Sequence, residues 1–242
     1  MSDPAERHSE AADRYEENSR RFMMLLKAVN SAWTPVTERM EALRPQLDDA
    51  EPGDDVDRAL DDVIAHGEEV SALVGFAFQW YVVMFVTFAE AYLEDVLAAS
   101  ARLDASVMQR SDQRASYEDV QAASSIAELE SALRHRWARN FVDDGGPTRW
   151  VERLTKMGAR YSNLLSVEIL EEAWGVRHCV VHRAGVVDLE FQRRHPQMGH
   201  VVGTRLEFGK ATVIQYSATI QRFVADTDAF FTKRYPGLSV AG

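Results

Sequence analysis

Residues 70–89, VSALVGFAFQWYVVMFVTFA, carry no charged side chain over twenty positions. A stretch this long and apolar has two stable surroundings. One is a bilayer, whose core takes about 20 residues of helix to cross. The other is the middle of a helical bundle, where a helix apolar on every side is buried by its neighbours. The flanks favour the bundle. Glu68, Glu69 and Glu90 bracket the run, and no Lys or Arg stands nearby to set a membrane orientation. We read it as a buried core helix and expect no membrane partner.

The remaining pattern is also helical. Phe22, Leu26, Val29, Trp33, Val36, Met40, Leu43 and Leu47 recur at steps of three and four, a narrow seam that packs on another helix. Thr34 and Pro35 interrupt it as a cap and a first helical position. Residues 48–57, DDAEPGDDVD, read as an acidic loop. A long helix is expected from about Val56 to about Arg102, with a possible break near Gly67. Residues 104–123 read as a polar surface loop. Ser124 or Ser125 would cap a helix through Phe141, and Pro147 opens another that stops at Gly158. Ser166 caps the next helix, which carries Glu168 in its first turn and ends at Gly185. After it, VVDLEF and HVVGTRLEF alternate with a β period, predicting a short hairpin or strand-like loop. A last helix from Lys210 stops at Pro236 and Gly237.

These elements predict an all-α antiparallel helical bundle with a short extended hairpin or loop. Residues 1–55 would form an acidic helical arm on the bundle or on a dimer partner, and residues 56–242 the main domain. The net charge of −11 is uneven. Residues 1–70 hold 18 acidic against 8 basic side chains, whereas residues 134–194 hold 8 acidic against 11 basic. A mildly basic region can hold phosphate on an acidic protein. The single cysteine, Cys179, excludes an internal disulfide and fits a reducing cytosol. The polar N-terminus has no apolar signal-peptide core, so a cytoplasmic location is expected.

Several chemistries are missing from the chain. It has no glycine-rich phosphate loop, no GxSxG elbow and no CxxC pair. What remains is RHCVVH, residues 177–182. His178 and His182 are four apart and share a helix face. That is also the spacing of a two-histidine metal pair, and Glu171 could join it. The HExxH glutamate is absent, however, and no metal or other cofactor is expected. Arg177 and His182 lie about 140° apart around a helix. Two copies related by a two-fold axis could frame one groove with both.

RHCVVH resembles the R-x4-6-H motif of the HEPN-domain superfamily, all-α bundles that include metal-independent endoribonucleases. The setting is similar too. FVTFAEAYLEDVL (residues 85–97) looks like the family's second core helix, and RHCVVHRAGVVD (residues 177–188) like the motif helix running into a glycine and a short extended piece. The likeness spans residues 60–235. It implies a HEPN-like homodimer with a composite active site, cleaving single-stranded RNA by 2′-hydroxyl attack to leave a 2′,3′-cyclic phosphate. The motif arginine falls on Arg177 and its histidine on His182. His178 falls on the polar position after the arginine, and Glu90 on a polar position facing the site. Arg183, Arg193, Arg194 and His195 are the candidates for RNA contacts. A toxin or phage-defence role, with an antitoxin or regulatory protein as partner, is also implied.

The residues alone leave other readings open. The protein could bind RNA or a nucleotide without cutting, or be a helical scaffold for another protein. Arg177, His178 and His182 could be ordinary structural side chains, Glu90 could mark only where its helix reaches water, and Cys179 reads as a small buried hydrophobe. Trp33, Trp80, Trp137, Trp150 and Trp174 sit at helical spacings and read as core rather than base-stacking platforms. RHRWAR, residues 134–139, reads as a solvated helix face.

Overall fold

A computed structural model describes residues 8–24, 27, 54–108 and 114–239, with side chains of the long helix described from Leu73 onward. The described residues are mostly helical and contain no strand. Helix α1 covers residues 10–24. It is followed by α2 (Asp54–Leu103), α3 (Tyr117–Ala122), α4 (Ile126–Asp143) and α5 (Gly146–Met157). The chain closes with α6 (Val167–Arg183), α7 (Leu189–Arg194) and α8 (Lys210–Arg234).

The uncharged run lies in α2, and α2 is the axis of the bundle. Helices α4, α6 and α8 pack along it, and α1 joins them through Tyr15 on Tyr92 and Phe22 on Tyr81 and Phe88. Val82, Phe85, Tyr92, Leu93, Val96 and Leu97 are almost wholly removed from water. Each such side chain contributes about 1.5–3 kcal/mol by burial. Leu73–Leu103 is long and apolar enough to cross a membrane by length and composition. From Tyr81 to Ala101, however, most of its apolar side chains are packed into the bundle core. Before that, one face is open: Leu73, Phe76 and Trp80 are 65%, 54% and 40% exposed.

Cross-helix pairs fix the directions. Glu90 meets Trp174 and Arg177 while Gln79 lies against Gly185, so α6 runs antiparallel to α2. Arg139 reaches Glu94 from α4. Asp228 of α8 meets Tyr92 at 3.3 Å. The same buried carboxylate accepts from the Ser9 backbone N–H at 3.1 Å and from the Ser9 hydroxyl, with His8 Nδ1 at 3.7 Å. It thereby ties the start of α1 to the bundle.

Most predicted boundaries coincide with local chemistry. Ser125 caps α4 by accepting from Glu128 N, and Ser124 bonds the Glu128 side chain. Pro147 sits in the first turn of α5, and Gly158 ends that helix at φ 108°. Ser166 caps α6 by accepting from Ile169 N.

Three expectations need correction. The backbone of α2 is unbroken through Gly67. Residues 104–123 are not wholly loop. A 3-10 turn covers Ala105–Met108, and α3 is held by a capping box in which Ser116 and Asp119 bond each other's backbone. The predicted hairpin reduces to an isolated bridge between Val186 and Arg205, with Leu206 N–H donating to Gly185 O at 2.8 Å. The second half of VVDLEF instead opens α7, because Asp188 accepts from Phe191 N and caps it. There a local capping bond outweighs β-branched alternation. The seam beyond Met24 (Leu26, Val29, Trp33, Val36, Met40, Leu43 and Leu47), the Thr34–Pro35 cap and most of the acidic loop lie outside the described residues.

Replacing Asp228 with alanine should cost about 1–3 kcal/mol, because buried donors on Ser9 and Tyr92 lose their acceptor. Chemical denaturation measures this, and hydrogen exchange should quicken first over residues 10–24. An unchanged midpoint would show that the tie is idle.

Candidate functional site

Helix α6 exposes a ladder of rings at four-residue steps. Trp174 and His178 stack with centroids 5.9 Å apart and planes 25° apart. His178 and His182 follow at 4.6 Å and 46°. Four residues advance the helix by about 400°, so these side chains stand one above another. The two imidazoles face solvent, while Trp174 is half-buried against the α2 side of the ladder.

Glu90 joins that ladder to the arginine. Its Oε1 accepts from Trp174 Nε1 at 3.0 Å, and its Oε2 lies 3.4 Å from Arg177 Nη2. Glu90 is 17% exposed and Arg177 25%. Arg177 Nε is buried and has no hydrogen-bond partner. A guanidinium offers five N–H donors, so one loose ion pair leaves most of them unengaged. Burial raises the Glu90 carboxyl above its ordinary range, against the opposing pull of Arg177 and the indole N–H. Burial also lowers His178 from its ordinary value, helped by nearby His182 and by Arg177 and Arg194, while Glu190 opposes.

The structure brings Arg177, His178, His182 and Glu90 onto one contiguous surface. Glu171, the possible third metal ligand, does not join them. Its Oε1 accepts from Thr148 N at 2.6 Å at the start of α5. Burial pushes the Cys179 thiol up to about 11, and its sulfur donates to Val186 O, as suits an inert packing residue.

The proposed RNA contacts divide. Arg183 and Arg194 are exposed, paired with Asp188 at 3.1 Å and Glu190 at 2.6 Å. Such solvent-screened surface pairs contribute little, so an incoming phosphate can displace them. Arg193 is exposed as well. His195 is not available for backbone contacts: it is only 6% exposed, packed on Phe191 with ring centroids 5.0 Å apart. The cause is Gly175. A Cβ there would stand 2.2 Å from His195 Nε2, so the missing side chain makes room for the imidazole. Burial lowers His195 from its ordinary value, with Glu172 and Glu171 opposing.

Two tryptophan expectations also change. Trp137 and Trp150 are buried as core, and Trp33 lies outside the described residues. Trp80 is exposed, and Trp174 belongs to the site. The signal for Trp174 was present in the sequence as the 174, 178, 182 spacing, which shows only when tryptophan and histidine are read as one aromatic series. In RHRWAR, Arg136 binds Asp119, Arg139 pairs with Glu94 at 3.4 Å, and Trp137 and Ala138 turn inward.

Among the described residues, no enclosed substrate pocket surrounds the ladder. The cleft between α6 and α7, lined by His178, Arg183, Arg194 and His195 among others, holds only about 20 Å³, room for about one water. A groove of about 660 Å³ lies past the C-terminal end of α6. Phe76, Phe78, Gln79, Leu206 and Phe208 line it, and no residue of the ladder does. Among the described residues the motif therefore stands on an open face.

Gly175→Ala should destabilise by about 1–3 kcal/mol, since the new methyl collides with a packed ring. Combining it with His195→Ala should cost less than the sum of the two single changes. Thermal unfolding of the four proteins checks this, and strict additivity would mean that the two residues do not compete for space.

Comparisons of the chain with protein-family models, with curated proteins and with solved structures find no match.

Proposed function

We propose that the protein is a HEPN-type, metal-independent endoribonuclease that cleaves single-stranded RNA at a site shared by two copies of the chain. The observation that carries this reading is the pair of solvent-facing imidazoles 4.6 Å apart, beside a half-buried arginine with unengaged donors. RNA brings its own nucleophile, so the protein need supply only proton transfer and positive charge. In the proposed reaction His182 is the general acid/base and His178 assists it. The 2′-hydroxyl loses its proton to an imidazole and its oxygen bonds to phosphorus. The bond to the 5′-oxygen breaks, and that oxygen leaves with a proton. Arg177 holds the non-bridging phosphate oxygens with its fork of donors. The products are a 2′,3′-cyclic phosphate and a 5′-hydroxyl.

Histidine suits this work because it exchanges protons near neutrality. Burial, helped by the nearby His182, lowers His178 from its ordinary value and favours its neutral, proton-accepting form. Glu90 orients Arg177. Arg183, Arg193 and Arg194 extend the positive surface along α6 and α7 for the flanking strand. A toxin or phage-defence role, held in check by an antitoxin or regulatory protein in the cytoplasm, accompanies this family reading.

The open face calls for a second wall in this reading, and an apolar stripe supports a contact with another copy. Leu73, Phe76 and Trp80 form an exposed stripe on α2. It lies beside Gln79, which packs against Gly185 just beyond His182. Val181, next to His182, is also exposed. A two-fold contact through this stripe covers apolar surface and brings two motif faces together. The rival favoured by a specific observation is RNA binding without cleavage. Glu90 already neutralises part of Arg177, and acidic neighbours engage Arg183 and Arg194.

Wild-type protein should cut unstructured RNA in EDTA and leave cyclic phosphate ends. His182→Ala should lower the rate by roughly 10²–10⁴-fold, the usual share of general acid–base catalysis, with an unchanged circular dichroism spectrum. Full activity in that variant ends the assignment. Salt-sensitive binding without any cleavage by the wild type favours the rival. Trp80→Asp should convert a dimer to a monomer in analytical ultracentrifugation and abolish cleavage; a monomeric wild type would remove the composite site.

A further inference from the structure

We propose that Trp174 is a positioning residue for the His178 imidazole, its indole clamped by Glu90. This rests on the ribonuclease reading for its purpose, although the clamp itself is a matter of geometry. Both oxygens of the Glu90 carboxylate are engaged. One accepts from the indole N–H at 3.0 Å, and the other faces Arg177 at 3.4 Å. The carboxylate is held between α2 and α6 and cannot swing away without breaking both contacts. The indole is therefore pinned at its polar edge.

Its six-membered ring is confined by Gly146 at the start of α5, where a Cβ would lie 3.6 Å from Trp174 Cδ2 and Cε3. Glu171 fastens that turn to α6 by accepting from Thr148 N at 2.6 Å. An indole fixed at its edge and confined at its benzo ring presents one face, and His178 lies on it at 25°. His178 in turn sets the face met by His182. The order of transmission is Glu90, Trp174, His178, His182, with Arg177 fixed by the same carboxylate. Base and phosphate clamp thus share one anchor.

The indole also shields His178 from water on one side. Other groups around the imidazole are His182, Arg177 and Arg183 on α6, Glu190, Arg194 and the α7 cap Asp188, His195 after α7, and Glu90 across on α2. Trp174 is the uncharged member of that set. Its removal changes solvation and orientation without adding or deleting a charge.

The test follows the His178 ring by NMR in the full chain, assigned with a His178→Gln variant. Three proteins are compared: wild type, Trp174→Phe and Trp174→Leu. In the wild type, His178 ring protons should show an upfield ring-current shift and titrate below the ordinary histidine value. Trp174→Leu should abolish the ring-current shift and raise the titration midpoint toward the ordinary histidine value. Trp174→Phe keeps a ring but loses the N–H donor to Glu90. It should show a smaller ring-current shift and an intermediate midpoint.

Where RNA is cleaved, the acidic limb of the kcat profile should move up with the His178 midpoint in Trp174→Leu, with KM nearly constant. An unchanged His178 titration and ring shift in a folded Trp174→Leu protein overturns the proposal, as does a change confined to KM. Should Trp174→Leu fail to fold, a wild-type His178 without a ring-current shift overturns it equally, and a shift that shrinks in Trp174→Phe upholds it. If the wild type cuts no RNA, the ribonuclease reading fails, while the titration and ring shift still decide the clamp.

Discussion

Glu90 is the first charge after the uncharged run of α2, and it lies where that helix is already deep in the bundle. A carboxylate so placed must find partners or shift toward its neutral form. It does some of each. Burial raises its pKa, while the Trp174 indole and the Arg177 guanidinium oppose the rise. Both partners lie on α6, three residues apart. The requirement to satisfy one buried charge therefore fixes how α6 is rotated and where it sits along α2. Apolar packing alone sets this weakly, because a smooth aliphatic helix accepts several registers. At the other end, Gln79 donates to Leu206 O at 2.7 Å beside Gly185 and locks the same pairing.

Once that register is set, the surface chemistry follows. Placing residues 174 and 177 against α2 turns residues 178 and 182 outward, since they lie about 100° and 140° further round than Arg177. The arginine is thus half-buried and oriented, while the imidazoles remain accessible. Their exposure is a consequence of where α2 placed Glu90. Helix α7 then closes the opposite flank. Its Asp188 cap bends the chain back, His195 fills the gap over Gly175, and Arg194 and Glu190 stand beside His178.

The helices and their ends were legible in the sequence because each rests on short-range physics. Ser125, Ser166, Pro147 and Gly158 act on neighbours within one turn, and the α2 run declares its burial by composition. The motif residues were legible for the same reason, since residues four apart on a helix must share a face. Long-range contacts were not. Nothing in Gly175 predicts that His195, twenty residues on, will occupy its missing side chain. Nothing in Trp174 reveals an acceptor 84 positions earlier. The hairpin error has the opposite origin. Alternating Val, Leu and Phe fit a strand, and one Asp188 side chain was enough to start α7 instead.

The open face is also what motivates the proposed pairing of two copies. A protein that surrounds its substrate within one chain excludes water with its own walls; here the α6–α7 cleft admits about one water and the larger groove avoids the ladder. An isolated chain would hold a strand only by surface charge, which salt weakens strongly. The apolar stripe of Leu73, Phe76 and Trp80 begins where the motif helix ends. In the proposed dimer, burying that stripe against another copy would supply both association energy and the missing wall from a single contact. In that proposed dimer the same long helix would serve two ends: its middle builds the core that orients Arg177, and its stripe at residues 73–80 would bring a second Arg177 and His182 within reach.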